Sequence, residues 1–543
     1  MFTDPNCIRT ANPAQWPQYP YDEPPPTPER SEPKYGIYEE NDVRIPMRDG
    51  VRLAADILRP YAPGRYPAIV STSPYTRQLQ RSTVPLGQNE AGISEFWVPR
   101  GYAHVLVDVR GSNDSGGTYD CFGATERRDL HDIIEWVAEQ PWCDGNIGMF
   151  GVSYYGRTQL FTAEEQPPHL KAIFPHDASC DLYRDGVFHG GIPSWGFIAG
   201  WWAAVRALNL SSGRVKDPSG MLRHIEIWHT QEYPLDGPYY HERSAWPRLD
   251  RIRVPAYFGV GWYHNNLHLR GSFQGFNETG DIPKRMMIGP RHKPAAPFAA
   301  YHLEALRWYD QWLKGMETRV MEGPPIQLWI QGENRWRSEN EWPLARTQWR
   351  ELFLGGPSGT PEGRLLEEAG RDGERSYHYD PAGREALLGQ PKLAYRTEPM
   401  ERDLEVTGPL ALHLWAHSTA TDTDFVATLC DEAPDGAVQE LVRGWLRASH
   451  REVDPARSEP WRPYHPHTKA EPLVPKQPYE LAIEIWPTAN VFKAGHRLRL
   501  EIASCDEVAR GFGYHRTLSL PATNTVLEGQ SCPSRLLLPV IPR

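Results

Sequence analysis

The six residues Gly151-Val152-Ser153-Tyr154-Tyr155-Gly156 combine the residue types and spacing that nucleophilic catalysis needs. A serine hydroxyl attacks a carbonyl only when a base takes its proton and the side chain projects clear of the backbone. A sharp turn from a strand into a helix gives that projection, and it crowds the chain so that small residues must flank the serine. Gly151 stands two before Ser153 and Gly156 three after it, a variant of the G-x-S-x-G elbow. The backbone N–H of Tyr154 opens the helix and would point at the oxyanion formed on attack, while the Tyr154 side chain is free to pack. A serine between glycines also suits a plain tight turn. The apolar run Gly148 to Val152 ahead of it, however, reads as a strand and favours the elbow.

The elements that must hold this turn are legible around it. Val43 to Met47 and Val51 to Leu58, joined by Arg48-Asp49-Gly50, form a hairpin. Ala68 to Thr72, His104 to Val109, Leu170 to Phe174, Ala256 to Val260 and Met286 to Ile288 are short apolar runs of the kind buried parallel strands show. Leu130, Ile133, Ile134 and Val137 recur at helical spacing within Glu126 to Gln140, giving βαβ order. The segment 177–249 carries Trp195, Trp201, Trp202, Trp228 and Trp246 and reads as a helical insert. Its apolar stretch Gly196 to Leu210, broken by Arg206, is expected to be a buried helix, too short to span a membrane. Beyond 345, alternating segments such as Leu410 to Trp415, Phe425 to Leu429 and Leu498 to Ile502 predict an all-β domain. Residues 1–34 form a Pro-rich arm with Pro24-Pro25-Pro26.

Composition narrows the function classes. Of 543 residues, 40 % are hydrophobic and 23 % charged, as in globular proteins, so two to four domains are expected. A net charge of −11 without a basic run disfavours nucleic acid. Met1 to Trp16 has no apolar core of a secretory signal, which predicts a cytoplasmic protein. Seven scattered cysteines, with no C-x-x-C pair, read as buried thiols. His264 and His268 stand four apart but lack the glutamate of H-E-x-x-H, so neither metal nor cofactor is expected.

Taken together, the motifs resemble the cocaine esterase and X-Pro dipeptidyl-peptidase family, which includes α-amino-acid ester hydrolases and cephalosporin acylases. The resemblance rests on Val43 to Pro60, Ser73-Pro74-Tyr75, Asp108-Val109-Arg110-Gly111 with Ser115-Gly116-Gly117, and Trp142 to Gly156. It continues through Leu170 to Arg184, Gly261-Trp262-Tyr263, Gly289-Pro290, Thr407-Gly408-Pro409, Thr423-Asp424-Phe425 and Gly495-His496-Arg497. It implies an α/β fold, with an α/β-hydrolase domain over 35–176 and 250–345, a helical cap at 177–249 and a C-terminal jelly roll at 346–543. It also implies that Tyr75 donates its phenolic O–H to the oxyanion hole. An Asp108–Arg110 salt bridge is expected to brace the floor of the site.

Two positions depart from the family pattern. Where an aspartate should follow Gly-Trp-Tyr as triad acid, the chain has His264, then Asn265 and Asn266. The base, expected in Gly-Pro-Trp-x-His, falls on His292 in the shorter Gly289-Pro290-Arg291-His292. Two residues are candidates for the missing acid's role. Asp177 follows the strand Leu170 to Phe174, a place from which related hydrolases draw their acid, though a helix N-cap is its ordinary alternative. His264 is the other, orienting His292 in a Ser-His-His arrangement or facing the substrate.

The leading expectation is a serine hydrolase that cleaves a small-molecule ester or amide through an acyl-enzyme on Ser153. The alternatives are a repurposed site acting as acyl transferase, lyase or C–C bond enzyme, and a non-catalytic homologue that only binds a ligand. Edges of the β domain permit a homo-oligomer.

Overall fold

The computed structural model describes residues 28–543 except 82–89, 224–227, 291–300, 358–359, 384–390, 507–514 and 516–519. Most of the expected N-terminal arm, the side chain of Trp228, and His292 therefore lie outside the described residues.

The first sheet begins with β1 (Ile37–Pro46), β2 (Arg52–Pro60), β3 (Tyr66–Ser73) and β4 (Ala103–Asp108), and continues after helix α1 (Ala124–Ala138) with β5 (Cys143–Val152). Helix α2 (Tyr154–Glu165) leads to β6 (Leu170–His176). A short hairpin, β7 (Phe188–His189) and β8 (Ile192–Pro193), and helix α3 (Trp195–Ser211) open a largely helical insert. The sheet then resumes with β9 (Ala256–Gly261), α4 (Leu269–Glu278), β10 (Lys284–Gly289), α5 (His302–Lys314), β11 (Ile326–Ile330) and β12 (Arg335–Glu339).

Spatially the ten strands run β1-β2-β4-β3-β5-β6-β9-β10-β11-β12. The middle, from β4 to β11, is parallel. Every residue of β3, β4 and β9 is buried, as strands of a parallel sheet covered on both faces are. Register aligns the carboxyl ends: Val152 lies opposite His176, His176 opposite Gly259, and Gly261 opposite Gly289. The residues that follow β5, β6, β9 and β10 therefore emerge side by side, the place where open α/β sheets bind ligands.

The predicted strands and α1 coincide with observed elements, with Met47, Val51, Val109, Glu139 and Gln140 falling just beyond the observed ends. Helix α3 differs from expectation. It buries only Ile198, Trp202, Val205 and Asn209, while Gly196, Gly200, Ala203, Ala204 and Ala207 face solvent. Small apolar residues bury little area, so their exposure is cheap and hydrophobicity alone did not distinguish a covering helix from a core one. Of the cysteines, Cys121, Cys143, Cys180, Cys430 and Cys505 are buried, but Cys532 is only half-buried.

Eleven further strands, from Gln348–Gly355 to Arg535–Ile541, hydrogen-bond into one sheet and form a separate C-terminal β domain. The turn between β7 and β8 docks there. Arg447 N–H donates to Gly190 O at 2.8 Å, and a Cβ on Gly190 would lie 1.9 Å from Trp445 O, so only glycine fits. No helix among the described residues is long and apolar enough to cross a membrane.

Candidate active site

Ser153 sits between β5 and α2 with φ 59° and ψ −113°, a conformation that a non-glycine residue adopts only under constraint. The constraint is visible. Val152 N–H donates to Glu90 O (2.9 Å), Ser153 N–H to His176 O (3.2 Å), and Arg157 N–H closes the first helical turn on Ser153 O (2.9 Å). Both flanking glycines are required. A Cβ on Gly151, at φ 144°, would lie 2.3 Å from Tyr155 Cβ, and one on Gly156 would lie 2.6 Å from His176 O. The Tyr154 N–H is among the first-turn groups that α2 leaves without an intrahelical acceptor. The Tyr154 side chain packs instead: it stacks on Phe122 (4.2 Å) and donates its hydroxyl to Glu126 at 2.8 Å.

Tyr75 comes to the serine from the loop after β3. Its phenol interacts with the Ser153 hydroxyl and accepts the indole N–H of Trp201, on α3, at 2.8 Å. That indole occupies an acceptor lone pair of the phenol and leaves the phenolic hydrogen to be donated. Burial raises the Tyr75 pKa, with Glu90 adding to it, so the donor stays protonated. The same helix fixes the loop, since Asn209 Nδ2 donates to Pro74 O at 2.9 Å. Nothing in the sequence singles out Trp201 from the other tryptophans of the insert.

Beyond β6 and β9 the two candidates for the acid's role meet. Asp177 is 1 % exposed and accepts the Tyr263 hydroxyl on Oδ2 at 2.6 Å, with His264 Nε2 3.3 Å from the same oxygen. Its Oδ1 has no hydrogen-bond partner among the described residues. Burial opposes the charge, but His264, assisted by His176 and His268, holds the carboxyl far below the ordinary carboxylate range. Asp177 does not cap a helix; its φ of 46° turns the chain so that the side chain meets β9's end. His268 approaches His264 with ring centroids 4.6 Å apart and lines the cavity containing Ser153. Asn265 points away, toward Leu441 O of the β domain (3.3 Å).

The floor of the site is built differently from expectation. Asp108 pairs with Arg77 (2.7 Å), whereas Arg110 pairs with Asp129 (2.6 Å) and Asp49 (2.9 Å). Arg77 also binds Asp42, Asp56 and Asp114, so one buried guanidinium gathers four carboxylates from three strands and their loops. Its long fork reaches what the neighbouring Arg110, aimed at α1, does not.

A cavity opens on Ser153 and Tyr75, walled by Phe122, Leu182, Phe197, Trp201 and Leu267. Among the described residues no group of three or more His, Cys, Asp or Glu side chains converges as metal ligands would. The arrangement brings together a half-buried serine hydroxyl, a protonated phenol and a buried carboxylate, the residue types that acyl transfer to serine uses.

Comparison with known proteins agrees in extent with this layout. Residues 49–293 match the model of the X-Pro dipeptidyl-peptidase S15 family, and residues 318–537 that of the X-Pro dipeptidyl-peptidase C-terminal non-catalytic domain. The chain is 30 % identical to a cocaine esterase of Rhodococcus sp. (strain MB1 Bresler), covering 93 % of this chain and 98 % of that one. It is similar to the crystal structure of a CocE/NonD family hydrolase from Staphylococcus aureus, with TM-score 0.80, 26 % identity, and coverage of 95 % and 99 %. An α-amino acid ester hydrolase shares the fold at TM-score 0.73 and 18 % identity, covering 95 % of this chain and 98 % of that one.

Proposed function

Because the chain belongs to the X-Pro dipeptidyl-peptidase S15 family of serine hydrolases, we propose that it cleaves a small ester or amide through an acyl-enzyme on Ser153. The observation that carries this reading is the strained Ser153 elbow with the Tyr75 phenol against its hydroxyl at the mouth of an apolar cavity. In the proposed cycle His292 takes the Ser153 proton as Oγ attacks the carbonyl. Tyr75 O–H and Tyr154 N–H donate to the oxyanion. Collapse expels the alcohol or amine, which takes the proton from His292, and water, activated by the same base, then frees the acid.

Asp177 is proposed as the acid. Its anion is buried, and its open Oδ1 suits a ring N–H of His292. The 3.3 Å contact to His264 supports a second reading, in which His264 links Asp177 to His292. A loss in His264→Gln as large as in Asp177→Asn favours the linked chain, and a small loss favours direct contact. We read the insert around α3 as a cap over the cavity and the C-terminal β domain as a jelly roll.

An active-site phosphonate tests the main reading. A covalent adduct on Ser153, absent in Ser153→Ala together with turnover of 4-nitrophenyl esters, is expected. Full turnover by Ser153→Ala would overturn it.

A further inference from the structure

The cavity at Ser153 contains a cation with no carboxylate to neutralise it. Arg157 lies four residues after Ser153, one helical turn along the same face of α2, and its side chain lines the cavity while being 6 % exposed. One amino group donates to Arg243 O at 3.0 Å, and the guanidinium lies over the Phe122 ring at 4.0 Å. Its Nε has no hydrogen-bond partner, and Arg157 makes no ion pair among the described residues. Burial depresses its pKa, and the groups that act against this are Cys121, Asp185, Cys180 and Tyr154. Cys121 is pushed up to about 12 by burial, and Cys180 and Tyr154 are raised well above their ordinary values, so these three are neutral near pH 7. Asp185 is committed to Arg270 at 3.0 Å.

A buried guanidinium without an anion is costly, whereas one that meets a carboxylate makes a short, charge-assisted contact. We propose that Arg157 selects substrates carrying a carboxylate on the fragment that enters this cavity, so that the enzyme prefers anionic esters over neutral ones of the same shape. The inference rests on the hydrolase reading and names its substrate class. Because Ser153 and Arg157 line the same largely apolar cavity, a short chain ending in a carboxylate would place its reacting carbonyl at Ser153 and its anion at Arg157.

The test compares kcat/KM for two pairs: mono-4-nitrophenyl glutarate against 4-nitrophenyl butyrate, with the charge on the acyl side, and 4-acetoxybenzoate against 4-acetoxybenzamide, with it on the leaving group. At least one anionic member should be favoured about tenfold or more. Arg157→Met should abolish that ratio and Arg157→Lys should retain part of it. Equal or neutral-favouring ratios in both pairs for the wild-type enzyme would overturn the proposal, even if the variants fail to fold. A preference that persists in folded Arg157→Met would overturn it as well. Failure to cleave any ester, with no adduct on Ser153, would instead strike the hydrolase reading itself.

Discussion

Asp177→Asn separates a carboxylate that works in catalysis from one that only holds two strand ends together. Asparagine is nearly isosteric, so the packing around Tyr263 and His264 should persist, but an NH2 group replaces one acceptor oxygen. In place of Oδ1 it presents a donor to the position open for a ring N–H, which would hold the base in the wrong tautomer. In place of Oδ2 it faces the Tyr263 hydroxyl, now 2.6 Å away, which must turn to accept. Either way the negative charge that stabilises a protonated imidazole is gone. Loss of a triad acid in this manner lowers kcat by about 10⁴, or about 5 kcal/mol of barrier. A purely structural Asp177 would lose a charged hydrogen bond, about 1.5–3 kcal/mol of stability, and leave kcat alone. Steady-state hydrolysis of a 4-nitrophenyl ester, the rate of phosphonate labelling at Ser153 and thermal unfolding distinguish the two. The expected result is kcat reduced about 10³- to 10⁴-fold with KM near wild type and Tm shifted by a few degrees. A folded Asp177→Asn enzyme whose kcat stays within about tenfold of wild type would refute the assignment.

Tyr75→Phe removes the proposed side-chain oxyanion donor and orphans the Trp201 indole N–H; kcat should fall about 10²- to 10³-fold at similar KM, read by the same assay. Gly156→Ala drives a methyl against His176 O at 2.6 Å, where backbone cannot yield cheaply, and should cost more than about 3 kcal/mol in denaturant unfolding and abolish labelling. Burial raises Glu126 to about 8, so the folded state holds a proton that the unfolded chain releases near pH 4.5. Its neutral form thus favours folding at low pH, and stability declines as pH rises through that window and levels off above about 8. Glu126→Gln, which carries no charge, should therefore flatten the decline of Tm between pH 5 and 8; an unchanged profile would count against a neutral Glu126.

What was legible from the chain followed local rules. The elbow announced itself because two glycines stand at fixed offsets from Ser153 after an apolar run, although the contact that requires Gly156 is with His176 on β6, and the strands because parallel burial makes unbroken apolar runs. What escaped reading is long-range. Arg77 and Arg110 are both arginines near glycine-rich loops, and nothing local shows which one reaches Asp108. The proximity of Asp177 to His264 depends on the pairing of β6 with β9 across an insert, which periodicity does not record. Arg157 was within reach of sequence reasoning, since a residue four beyond the nucleophile shares its helical face, but only the absence of an ion pair among the described residues makes it notable.

The hydrogen bond from Trp201 to Tyr75 joins parts of the chain that are usually considered interchangeable modules. An insert that shapes a cavity could be exchanged for another to alter which molecule fits, with the reaction centre left untouched. Here the insert also supplies the dipole that orients the Tyr75 phenol, so under the proposed mechanism a transplanted segment lacking that indole would change rate along with selectivity. Directed recombination of this fold should accordingly treat positions 75 and 201 as one inherited unit.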